Sequence, residues 1–176
     1  MKRSFQSLSP QEALHVAVFI EERNAQIYHQ FAEMFVSFQD FASLEIAGVL
    51  WDMAIEERHH SSLLQQRYTA KYGQAACSLT EADVLEIIEL PQLGSGEIFD
   101  TGAAASTAHR RALEIALSAE NQAHDYYAEL AQTADDAELR ALYVELASFE
   151  ADHVQFLERR LAGEAPSKAG NDSLSG

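Results

Sequence analysis

The sequence predicts an all-α fold, a bundle of four long helices with one long connection between the second and the third. Three observations carry that prediction. Apolar residues recur at helical spacing through four separate stretches. Only three prolines and eight glycines occur, most of them in one central stretch and the tail. Two of the four stretches also repeat the pattern of the other two.

The first helix is expected to start at Ser9-Pro10-Gln11-Glu12. Serine caps, proline takes the first helical position and Glu12 completes a capping box. Leu14, Val18, Ala25, Phe31 and Phe35 then mark one face, and the helix is read over about 10–37. Asp40 caps a second helix over about 41–72, which stops at Gly73 and has Ile46, Leu50, Met53, Leu64 and Tyr68 on its inner face. Residues 74–107 contain "LPQLGSGEIFDTG" and read as a crossover connection with one short helical piece near 80–88. The third and fourth long helices follow over roughly 107–133 and 136–162. The bundle domain is therefore drawn at 1–162, and the small, polar residues 163–176 are expected to form a flexible tail.

With 28 acidic and 12 basic residues the net charge is −16, a surface that repels phosphate backbones and argues against a nucleic-acid partner. The single cysteine, Cys77, excludes an internal disulfide and any four-thiolate site. The N-terminal residues lack the apolar run of a signal peptide, and no stretch is apolar for long enough to span a bilayer. A cytoplasmic protein with no membrane partner is expected.

Function is suggested by carboxylates in positions where a bundle calls for leucine. In the first helix Leu14, Glu21, Tyr28 and Phe35 stand seven apart on one face, and in the third Leu113, Glu120 and Tyr127 do the same. The second and fourth helices align without a gap, "MAIEERHHSSLLQQR" over "LASFEADHVQFLERR". Glu57 then meets Glu150 and His60 meets His153, which leaves Glu56 and His59 on a flank. The chain is an internal repeat, each half a Glu-x6-Tyr helix followed by a Glu-x-x-His helix. Residues three apart share a helix face and can chelate one ion. Four buried carboxylates without compensation would cost several kcal/mol each, whereas two divalent cations would cancel their charge. Mixed carboxylate and imidazole ligands suit iron or manganese, with zinc as a further occupant. His15, His29, His59 and His109 fall outside this register and are read as surface or rim residues.

With Glu21-x6-Tyr28, Glu57-x-x-His60, Glu120-x6-Tyr127 and Glu150-x-x-His153, the chain resembles the rubrerythrin branch of the ferritin-like superfamily over roughly 10–162. The resemblance implies two iron ions bridged by Glu57 and Glu150, with Glu21 and Glu120 as terminal ligands and one histidine, His60 or His153, on each metal. It also implies that Tyr28 and Tyr127 donate hydrogen bonds to ligand carboxylates. Two departures stand out. Full rubrerythrins carry a four-cysteine rubredoxin domain, absent here, so an external electron donor is expected. Many also have a further carboxylate one turn after the third-helix glutamate, where this chain has Ala123; His124, beside it, is a candidate substitute.

The activity expected from this resemblance is a di-iron oxidoreductase reacting with O2 or H2O2, a ferroxidase or a peroxide reductase, in iron homeostasis or oxidative-stress defence. The alternative is a non-catalytic iron-binding or storage protein within a larger assembly, to which the terminal "NDSLSG" would be a recognition peptide. Aromatic residues near the first turn, Phe38 and Phe41, are read as exposed and fit a homodimer.

Overall fold

The computed structural model describes residues 7–74, 77–87 and 105–163. Four long helices, α1 (Pro10–Phe38), α2 (Phe41–Tyr72), α4 (Ala105–Thr133) and α5 (Ala137–Leu161), and one short helix, α3 (Glu81–Ile87), make up an all-α ferritin-like bundle. Among the described residues no helix is long and apolar enough to cross a membrane.

The expected starts of α1, α2 and α5 each have a local cause. Ser9 Oγ accepts from the Glu12 amide at 3.3 Å while Glu12 accepts from the Ser9 amide at 2.9 Å, so the capping box closes in both directions. At the turn between α1 and α2, Gln39 takes φ 57°, the left-handed conformation that reverses the chain. Asp40 then caps α2 by accepting from the Ser43 amide at 2.9 Å. Asp136 caps α5 through the amides of Glu138 and Leu139. These devices fix where α1, α2 and α5 begin, and with it which of their residues reach the middle of the bundle.

Helix α1 packs along α2 and α4 packs along α5, and the two hairpins meet where α1 faces α4. The core falls into two apolar clusters. One, with Ile27, Phe31, Phe35, Leu50, Met53, Leu113 and Leu157, lies toward the α1–α2 turn. The other holds Leu14, Val18, Leu64, Leu142, Leu146 and four tyrosines, Tyr68, Tyr126, Tyr127 and Tyr143. Leu79, Val84 and Ile87 are buried in this second cluster, so the described part of the expected crossover is packed against the bundle. Residues 88–104 of that connection, and the expected tail after Gly163, lie outside the described residues.

On all four long helices one glutamate falls in sequence between the two apolar clusters: Glu21 between Ile20 and Ile27, Glu57 between Ala54 and Leu64, Glu120 between Ala116 and Ala123, Glu150 between Leu146 and Leu157. A charged layer with apolar packing on both sides is shielded from water, which makes its electrostatics strong.

The expectation of two exposed aromatics at the first turn needs correction. Phe41 is 85% exposed. Phe38 is half-buried, its ring 6.2 Å from that of Phe35 and 6.0 Å from that of His109. His109 is half-buried at the same turn: it lies edge-on to Phe35 at 4.8 Å and its Nε2 is 2.7 Å from Ser43 Oγ, tying α4 to the start of α2. A helix face read from sequence says which side is apolar, but not which neighbour's polar group an aromatic cluster can enclose.

A candidate dinuclear metal centre

The six residues singled out from spacing converge in the charged layer. Glu21, Glu57, Glu120 and Glu150 have no solvent exposure, and His60 and His153 are buried at 6% and 9%. They form two overlapping groups. Glu21, Glu57, His60 and Glu150 bring one ligand atom apiece within 4.8 Å of each other, and so do Glu57, Glu120, Glu150 and His153. Glu57 and Glu150 belong to both.

Hydrogen bonding divides the carboxylates in the same way. The Tyr127 hydroxyl on α4 donates to Glu21 Oε1 on α1, and the Tyr28 hydroxyl on α1 donates to Glu120 Oε1 on α4. Each tyrosine thus crosses to the other hairpin, and each of these two glutamates keeps one oxygen, Oε2, without a partner. Glu57 and Glu150 keep both oxygens without one. The Nδ1 atoms of His60 and His153 are also unpartnered. Buried polar atoms are nearly always satisfied, and eight orphaned ligand-type atoms in one place fit a site for two cations rather than a stable apolar core. The donor set passes the test for two divalent ions: four carboxylates match four positive charges, and one imidazole is available to each group.

The protonation equilibria follow from the same crowding. Burial first, and then the negative charges of Glu21 and Glu120, push the Glu57 carboxyl well above its ordinary range. Burial also raises Glu150, reinforced by Glu120, Glu21 and Glu57. For Glu120, burial is outweighed by the close approach of Glu150 and His153 and by the hydrogen bond from Tyr28, and its carboxyl is lowered. Burial opposes a charged His153, yet Glu120, Glu150 and Glu57 more than offset it and raise the imidazole well above its ordinary value. The Nδ1 atom of His153 stands 3.2 Å from Glu57, 3.5 Å from Glu120 and 3.7 Å from Glu150. His60 Nδ1 stands 3.4 Å from Glu21 and 3.8 Å from Glu57. Crowding of like charges therefore favours bound protons at Glu57, Glu150 and His153. Tyr28 and Tyr127 remain neutral donors, since burial first, and then Glu120 and Glu21 respectively, raise their phenols well above the ordinary value.

Sequence spacing missed two residues here. Glu56, assigned to a flank, accepts from His153 Nε2 at 2.8 Å across the α2–α5 contact. Asn24, one turn after Glu21, is fully buried, and neither of its amide atoms has a partner among the described residues. A polar residue on an inward face was the available signal for Asn24. No signal in one helix could show that Glu56 reaches another. His124 joins neither group of ligands; it sits beside Asp125 at 3.2 Å with its side chain 39% exposed. It does not replace the carboxylate that Ala123 lacks. His59 is exposed, His29 pairs with Glu33 at 3.4 Å, and His15 lies over Tyr68.

Fold and site together define a ferritin-like helical bundle with a buried carboxylate–histidine cluster able to hold metal ions. The particular likeness is to rubrerythrin, whose family model matches residues 111–172, the stretch that holds Glu120, Tyr127, Glu150 and His153. Two solved structures share the fold over nearly the whole chain. An uncharacterised conserved protein from Magnetospirillum magnetotacticum MS-1 has a TM-score of 0.70 at 23% identity, covering 93% of this chain and 100% of that one. A hypothetical protein from Pyrococcus furiosus has a TM-score of 0.68 at 19% identity, covering 93% and 99%. No curated protein matches this chain.

Replacing Tyr127 with phenylalanine is expected to leave the bundle folded and to weaken metal binding by about 10-fold, because Glu21 loses the donor that orients it. Equilibrium dialysis against a divalent metal would show this. Unchanged affinity would mean that packing alone holds Glu21 in place.

Proposed function

We propose that the chain is a di-iron oxidoreductase that reacts with O2 or H2O2, oxidising ferrous iron or reducing peroxide. The observation that carries this reading is the division of oxygens: Glu57 and Glu150 offer both and are shared by the two groups, while Glu21 and Glu120 offer one each. In this reading Glu57 and Glu150 would be shared by two metals, Glu21 and His60 would complete the ligands of one, and Glu120 and His153 those of the other. When bound as a ferrous pair, the metals would supply two electrons to a small oxidant.

The chain's own residues set the conditions for that chemistry. Tyr28 and Tyr127 hold the terminal carboxylates by one oxygen and leave the other to ligate. The apolar clusters on both sides keep bulk water away, and the four carboxylates would balance the charge of two divalent ions. The four carboxylates have no solvent exposure and the two histidines only 6% and 9%, which restricts the oxidant to a molecule of a few atoms. Electrons for repeated turnover come from an external donor.

Anaerobic titration with Fe2+, followed by addition of H2O2 or O2 with an excess of reductant, tests the proposal. Binding of about two irons per chain, with peroxide or O2 consumed in many-fold excess over protein, is the expected result. Iron binding with consumption that stops after one equivalent would replace this reading by storage or delivery of iron. No iron binding would remove both.

A further inference from the structure

The internal repeat is followed closely by the ligands and by their tyrosines, and it breaks one layer further out. Aligning Glu57 with Glu150 places Glu56 of α2 opposite Phe149 of α5. The two residues meet the two histidines in exchange. His153 of α5 has its Nε2 2.8 Å from Glu56 Oε2. His60 of α2 instead has its ring stacked on Phe149, the centroids 5.1 Å apart and the planes at 22°. One histidine is backed by a carboxylate and the other by a phenyl ring.

A carboxylate can only accept, so the contact with Glu56 keeps a proton on Nε2 of His153 and leaves Nδ1, the atom that faces Glu57, Glu120 and Glu150, as the ligating nitrogen. Backing of this kind fixes the ring's orientation, selects its tautomer and increases its basicity toward a metal. Stacking on Phe149 orients the His60 ring but does neither of the other two things.

We propose that the two halves of the cluster are unequal by construction: the half completed by Glu120 and His153 takes its metal first and holds it more tightly, and Glu56 is the positioning residue that makes the difference. The inference rests on the dinuclear reading above and adds to it an order of filling. The half completed by Glu21 and His60 then becomes the exchangeable one, the place where a ferrous ion can enter and leave while its neighbour stays bound.

The test is a titration of the full metal-free chain with Co2+, followed by calorimetry and by cobalt absorption, with no oxidant present. The unmodified chain is expected to show two steps separated by about 10-fold or more in affinity. His60→Ala should retain the tight step, and His153→Ala should lose it. Glu56→Gln should weaken the tight step by about 10-fold while the weaker step and the thermal stability of the metal-free protein stay unchanged. Phe149→Glu, which supplies the missing carboxylate at the equivalent position, should strengthen the weaker step and draw the two together. A tight step that survives His153→Ala, or that ignores Glu56→Gln, overturns the inference and leaves the dinuclear reading intact. Failure of the unmodified chain to bind cobalt overturns both.

Discussion

Replacing Glu57 with alanine is expected to reduce iron binding from about two ions per chain to almost none, whereas replacing His60 is expected to leave about one. The difference follows from sharing. Glu57 lies in both four-residue groups, with both oxygens free, so its loss strips a ligand from each metal position. His60 lies in one group only, and the other keeps Glu57, Glu120, Glu150 and His153. Glu150→Ala should behave as Glu57→Ala does, and Glu21→Ala as His60→Ala does. Metal analysis after anaerobic loading and desalting reads the result directly. Alanine is smaller than glutamate and removes a buried charge that the metal-free protein has to neutralise with protons, so folding is retained, and circular dichroism checks that. If Glu57→Ala and His60→Ala lose iron equally, the two groups do not share a bridging carboxylate and the division of oxygens has another cause.

The second large effect is on stability as a function of pH. In the metal-free protein Glu57 and Glu150 titrate above the ordinary carboxylate range because they are buried among like charges. The folded state therefore binds more protons than the unfolded chain from that range upward, and stability falls as pH rises. His153 acts in the same direction: its raised value gives stability that is complete below the ordinary histidine value and is lost as pH climbs toward the folded one. Glu120, whose carboxyl is lowered, contributes the opposite slope, but only below the ordinary carboxylate range. The melting temperature of the metal-free protein is thus expected to be several degrees lower at about pH 8 than at about pH 5.5. Adding a divalent metal should reverse the slope, because the metal displaces those protons and binds better as pH rises. The net charge of −16 also disfavours the compact state at high pH. A Glu57→Gln, Glu150→Gln variant keeps that surface contribution and loses the buried one, so its slope should be shallower. An unmodified protein that becomes more stable between these two pH values would show the buried carboxylates to be ionised without metal.

Helix existence and type were readable from the sequence because they depend on short-range rules. The capping box at Ser9 and Glu12 and the caps at Asp40 and Asp136 each act over three or four residues, and the observed ends of α1, α2 and α5 fall within one residue of those expected. The start of α4 at Ala105 lies two residues before the expected one, at a stretch with no Ser-Pro or Asp cap of the same kind.

Composition of the site was readable for a related reason. A repeat of two halves restricts which positions can point inward, and a glutamate on an apolar face at the same register in four helices cannot be accommodated by chance at the cost that burial of charge imposes. The repeat alone selected Glu57 and His60 over Glu56 and His59, and all four carboxylates and both histidines do meet in one buried layer.

How the halves touch is visible only in the packed bundle. The donation of Tyr28 to Glu120 and of Tyr127 to Glu21 crosses between hairpins, and spacing within α1 or α4 carries no information about that exchange. The same holds for Glu56 against His153, for Phe149 against His60, and for His109 against Phe35 and Phe38. Periodicity records the direction in which a side chain leaves its own helix; the partner it finds depends on the separation and crossing of two helices, which are set by packing along their whole length. Residue spacing alone shows six side chains of metal-ligating type facing inward from four helices. The tertiary structure decided that two of them are shared, four are not, and the two histidines are backed by different chemistry, because those distinctions exist only between helices.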